Sequence, residues 1–162
     1  MAMAAVGVAP AQAQQASTSG STAIVEQFSL TNESELAFGA VLPPTSGSNT
    51  IIIDAGSGAR SLGGGGNAQL VGTGTSRATY TVEGDGGQSF DINVPANVTL
   101  TRSGGTETIV VTLTASGLTG ELDGSPGNAG SATFGVGGSF PITTSTVVGF
   151  YQGNFVVTVD NN

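Results

Sequence analysis

Residues Gly149 to Asn162 read GFYQGNFVVTVDNN. From Phe155 onward they alternate. Phe155, Val157 and Val159 share one parity, and Val156, Thr158 and Asp160 share the other. Period two marks a strand with one face against a core. Tyr151 and Gly153 lead into it. Its backbone partners must come from earlier segments of the chain or from another molecule.

The same alternation recurs upstream. Arg77 to Glu83 places Ala78, Tyr80 and Val82 on one face, and the Gly84-Asp85-Gly86-Gly87 run has hairpin-turn composition. Phe90, Ile92 and Val94 alternate before Pro95, and Val98 and Leu100 after it. Ser103-Gly104-Gly105 is a second turn, and Ile109, Val111 and Leu113 follow. Thr50 to Asp54 carries three consecutive isoleucines, and Asn67 to Gly72 reads as a weaker strand. Leu36 to Val41 is a short strand halted by Pro43-Pro44. Ala132 to Gly138 reads as a strand. Phe140 to Val148 reads as a separate edge strand, because Pro141 cannot donate to a central ladder. Asp54 to Gly66 and Ser116 to Gly130 read as long polar, Gly-rich loops. Short strands with turn signals between them, and no helical periodicity, predict an all-β, immunoglobulin-like antiparallel β-sandwich.

Composition narrows the function. Charged residues make up 9% of the 162 residues, with three arginines, no lysine, no histidine and a net charge of −8. Binding phosphate backbones needs clustered Lys and Arg, so nucleic acid is excluded as a partner, as is an anionic membrane surface. No run of 18 apolar residues predicts a membrane span. Without cysteine there is no thiol chemistry, and without histidine or lysine there is no Ser–His or Ser–Lys nucleophile. Gly63 to Gly66 lacks the lysine and following helix of a phosphate loop. Asp54, Asp85, Asp123 and Asn128 lie in loops without calcium-loop spacing, and Glu83 and Asp91 read as solvated surface acids. Arg77 and Arg102 sit at strand ends, where they are expected to meet solvent or nearby acids. The expectation is a protein that is not an enzyme, with no cofactor, no metal and no small-molecule substrate.

The beginning of the sequence points to export. Met1 to Ala16 reads MAMAAVGVAPAQAQQA, with an A-x-A pattern at Ala11-Gln12-Ala13. It reads as the remnant of a secretory signal peptide. Residues 17–30 form an N-terminal extension or first strand, and residues 31–162 the sandwich. Thr22, Ile24, Glu26, Phe28 and Leu30 share one parity, with three apolar members. That strand pairs either within its own domain or with a neighbour.

Three stretches carry a resemblance. Leu36-Ala37-Phe38-Gly39-Ala40-Val41-Leu42-Pro43 fits L-x-F-G-x-h-x-P. Ala78 to Gly105 joins an alternating strand, a proline and a V-x-L-T strand. Ala132 to Val159 ends in G-x-Y-x-G-x-F-x-V-x-V. Together they resemble a secreted bacterial domain-of-unknown-function family numbered 4402. The pattern is also similar to spore-coat-U-type proteins and chaperone–usher pilins, although this chain has no disulfide. That likeness implies a sandwich lacking its last strand, which a neighbour's N-terminal extension completes.

The resulting expectation is a structural subunit of a pilus- or fimbria-like filament on the surface of a Gram-negative bacterium. It assembles with copies of itself or with other surface subunits. The donor segment is Thr22, Ile24, Glu26, Phe28 and Leu30. Burying the three apolar members at roughly 1.5–3 kcal/mol each yields about 5–9 kcal/mol before ordering costs. The alternative is a monomeric secreted adhesin or glycan-binding module that uses Asp54 to Gly66 and Ser116 to Gly130.

Overall fold

A computed structural model describes residues 19–22, 24 and 27–162. The signal-peptide reading of residues 1–16 and the donor residue Glu26 lie outside the described residues.

Every regular element among the described residues is a β-strand. In chain order these are β1 (Ser29–Ser34), β2 (Ala40–Leu42), β3 (Ser48–Ile53), β4 (Arg60–Gly64), β5 (Gln69–Val71), β6 (Ala78–Asp85) and β7 (Ser89–Asn93). β8 (Asn97–Arg102), β9 (Thr108–Ala115), β10 (Thr119–Glu121), β11 (Ala129–Thr143), β12 (Tyr151–Gln152) and β13 (Thr158–Asn161) follow. All pairings between them are antiparallel.

The main sheet runs β1-β6-β11-β9-β8-β12. Its spine is β11, which is 15 residues long. Val136 faces Ala78 of β6 on one edge and Ala115 of β9 on the other. Two residues later Gly138 faces Ile53 of β3 and Leu113 of β9. β3 therefore takes over from β6 along one edge, with β4 outside it. At the handover a Cβ on Gly137 would lie 2.2 Å from the Ile53 carbonyl oxygen, so only glycine fits there.

A second layer covers the main sheet in two pieces, a three-stranded sheet β10-β7-β13 and a two-stranded ribbon β2-β5. Inward side chains of both layers meet in one core. Ile51, Val82, Val111, Val136, Phe90 and Leu122 are at most 2% exposed. Phe134 stacks on Tyr80 with ring centroids 5.2 Å apart, and burial raises the Tyr80 phenol above its ordinary value. In β10, Gly120 faces Phe90, and a Cβ there would lie 2.4 Å from the ring. The missing side chain is what lets Phe90 seat. This is the antiparallel sandwich that the alternating stretches predict.

Several boundaries differ from the sequence reading. The first strand is Ser29–Ser34 rather than Thr22 to Leu30, with Leu30 opposite Val82. It is an edge strand whose outward residues meet water, so Thr31, Asn32 and Glu33 belong to it although they are polar. The Asp54-to-Gly66 stretch is not all loop. Its Arg60–Gly64 part pairs with β3, supported by one half-buried aliphatic side chain, Leu62. Ser116 to Gly130 likewise contains β10 and ends its apolar content in Leu122, 2% exposed. The strand read at Ala132 to Gly138 and the start of the one read at Phe140 to Val148 are one central strand, which ends at Thr143. Pro141 is tolerated because pairing with β9 stops at Ser139, leaving Pro141 flanked by Thr50 alone. The closing alternation holds in burial: Val157 is 8% exposed and Val156 75%. Ladder pairing begins only at Thr158.

Candidate functional site

The second layer is not continuous. Between the ribbon on one side and the lead into β13 on the other lies an apolar groove of about 910 Å³. Its floor is the inner face of the main sheet, including Leu100, Ile109, Phe140 and Ile142. One wall runs from Leu36 to Val41, through β2 and its approach. The other runs from Thr146 to Phe155. The groove exists because β2 spans three residues and, among the described residues, pairs only with β5, so no described strand joins it to β13.

Each wall is held by a different device. On the ribbon side the ladder splays after the Ala40–Val71 pair and closes again at the Ala37–Ser76 bridge. The Arg60 guanidinium fills the splay. Its Nη1 donates to the carbonyls of Phe38 at 3.0 Å and Ala40 at 3.1 Å, and its Nη2 to that of Gly72 at 3.0 Å. Both nitrogens reach the Val71 carbonyl at 3.5 Å. Gly39 adopts φ +68°, and a Cβ there would lie 2.7 Å from Arg60 Nη1, so glycine serves both the turn and the cation. Phe38 then stands edge-on to Phe140, centroids 5.0 Å apart.

On the other side, Arg102 Nε donates to Glu107 Oε2 at 2.7 Å across the β8–β9 turn. The guanidinium holds the Glu107 carboxyl down to about 2, and the same contact raises Arg102. The Ser103 amide donates to the Phe150 carbonyl, and Tyr151 Oη to that of Val147 at 2.7 Å. Val148 and Phe150 remain 71% and 70% exposed on this lip.

The predicted donor residues fall into two groups. Phe28 and Leu30 pack against their own domain's core, with Phe28 edge-on to Phe90 at 5.8 Å. Thr22 and Ile24 are exposed, Ile24 by 95%. Glu26 is outside the described residues.

The acids Asp54, Asp85 and Asp123 accept from backbone amides of their own or a neighbouring segment. Asp54 Oδ1 accepts from the hydroxyl and amide of Ser57, both at 2.7 Å, and these bonds lower its carboxyl below the usual range. Asp85 accepts from the Gly127 amide and Asp123 from that of Ser131. Among the described residues no three acidic side chains converge as metal ligands. Glu83 and Asp91 stand on different sheets, both exposed. Arg77, read as a cation meeting solvent or acids, instead donates to the carbonyls of Ala55 and Gly56.

A family model described as "Domain of unknown function (DUF4402)" matches residues 28–161. The chain belongs to this family. The DUF4402 match begins at Phe28, so Thr22, Ile24 and Glu26 precede it, while Phe28, Leu30 and both groove walls fall inside it. Searches of the curated proteins and of the solved structures each returned no match.

Sequence reasoning missed Arg60 in this DUF4402 domain. The available signal was a lone cation in the run Asp54 to Gly66, with no acid after Asp54 to pair it. Five donors in such a setting must find backbone carbonyls. The likeness to pilins implied a gap in the sandwich, but the residues that line it were not read, because Phe38 and Phe140 read equally well as core.

Proposed function

We propose that this domain is a structural subunit of an exported surface filament of the pilus or fimbria type. Copies assemble by donor-strand exchange: the segment ahead of β1 in one copy enters the groove of the next. The supporting observation is the break in the second layer, which is bounded by β2 and the approach to β13 and floored by core side chains. A strand laid there would bury apolar surface and meet backbone edges on its flanks.

Phe28 and Leu30 already serve their own domain, so the donated stretch is the one ending at Gln27, with Ile24 as its anchor. Seating Ile24 contributes about 1.5–3 kcal/mol, and main-chain pairing adds to it. The glycan-binding alternative has less to stand on. The two stretches it relied on carry β4 and β10, and Asp54 and Asp123 in them accept from backbone amides.

Electron microscopy of native material, with unboiled SDS gels, tests the reading. Filaments and a heat-dissociated ladder are expected, and deletion of residues 14–26 should leave a folded monomer. A chain that stays monomeric at every concentration, and is unaffected by the deletion, would be a binding module instead.

A further inference from the structure

The ribbon wall has few attachments. Among the described residues β2 and β5 pair only with each other. Two side chains of the main sheet tie them down, one at each end of β5. Near the start, buried Asn49 of β3 accepts from the Ala68 amide at 2.9 Å and donates to the carbonyls of Gly63 and Gly66. At the other end stands Arg60 of β4, with its carbonyls divided between the two ribbon segments. Phe38 and Ala40, whose carbonyls it grips, also line the groove.

We propose that Arg60 is the positioning residue of the groove, fixing the Phe38–Ala40 wall at the spacing that admits a guest strand. The proposal rests on the groove being the docking place put forward above. The guanidinium suits the task. Its planar fork spans carbonyls on two segments at once. Without it, carbonyls of the splayed turn lose their donors. Closing the splay by direct pairing would shift the Phe38 segment relative to Phe140 and change the width of the groove. Arg60 touches no guest. It acts through Phe38 and Ala40.

The test compares the full-length chain with Arg60→Met, which keeps an apolar stem and removes every donor, and with Arg60→Lys, which restores three donors on one centre. Two readouts are taken: amide hydrogen exchange, and capture of a fluorescent peptide of sequence Ser17 to Gln27. Arg60→Met should speed exchange at Ala37 to Leu42 about tenfold or more, leave β6 and β11 unchanged, and weaken capture about tenfold or more. Arg60→Lys should recover part of both. Unchanged exchange in Arg60→Met, or a loosened ribbon with undiminished capture, would overturn the positioning role. A wild-type chain that captures no peptide while Arg60→Met still loosens the ribbon would overturn the filament reading instead, leaving Arg60 a stabilising tie only.

Discussion

The two pieces of the second layer treat the same floor differently. The β10-β7-β13 sheet seals it: Phe90, Ile92, Leu122 and Val157 are all between 1% and 8% exposed. The β2-β5 ribbon leaves it open. Val41 and Leu70 are half-buried and Leu42 is 51% exposed. Both pieces turn aliphatic side chains toward the core, Ile92 and Val159 in one and Val41 and Leu70 in the other. The sealed piece has a third strand and an aromatic ring seated where its neighbour is glycine. The open piece has two three-residue strands held by polar side-chain ties. Burial in this protein is therefore decided by how many strands cover the floor, and residue type is secondary.

That contrast can be broken by mutation. Phe90→Ala removes the seated ring and should cost about 3–5 kcal/mol by denaturant unfolding. Phe38→Ala, at the groove wall, should cost about 1–2 kcal/mol, because its ring is only partly buried. Equal costs would mean the two pieces are equally packed. Gly120→Ala drives a methyl into the Phe90 ring and should cost about 1–3 kcal/mol, whereas Gly65→Ala meets nothing within 4 Å and should be near neutral in a thermal melt.

Smaller effects sharpen it. Asp160 of β13 stands directly opposite Asp91 of β7 on the exposed face of the sealed sheet. Like charges so placed oppose pairing, so Asp160→Asn should raise stability by about 0.2–1 kcal/mol, with a gain that shrinks in high salt. The smallest effect concerns the lip. The Glu107 carboxyl is lowered from 4.5 to about 2 in the folded state. A depressed carboxyl stabilises the fold above its unfolded value and loses that contribution as pH falls. Wild-type melting temperature should therefore carry a small extra decline between pH 4.5 and 2 that Glu107→Gln lacks. Identical pH profiles would show that the pair contributes nothing to the fold.

The sandwich was legible because its core strands alternate strongly. Ala78, Tyr80 and Val82, or Val111 and Leu113, announce their inward face through side chains alone. The strands that escaped notice are defined by backbone pairing. β4 reads RSLGG and β10 reads TGE, so neither carries a periodic apolar signal, and each is a strand because of what lies beside it. Pro141 misled for the opposite reason. Proline signals an edge, but it marks only the point where one neighbour ends while the strand runs on. The place of the groove was illegible because it is a property of the second layer's missing continuity. No single residue carries it. The donor segment shows the same limit, since parity alone grouped five residues that packing divides at Phe28.

The fate of the three arginines has a colloidal consequence. Arg60 and Arg77 are turned onto backbone carbonyls and Arg102 onto Glu107. Since the chain has no lysine or histidine, these are its whole complement of basic side chains. With a net charge of −8, two such molecules repel on average. Close approach in dilute buffer therefore meets a Coulomb barrier that added electrolyte lowers, with a decay length of about 8 Å at physiological ionic strength. Any self-association would have to overcome this barrier at short range, and its onset should move to lower protein concentration as salt is added.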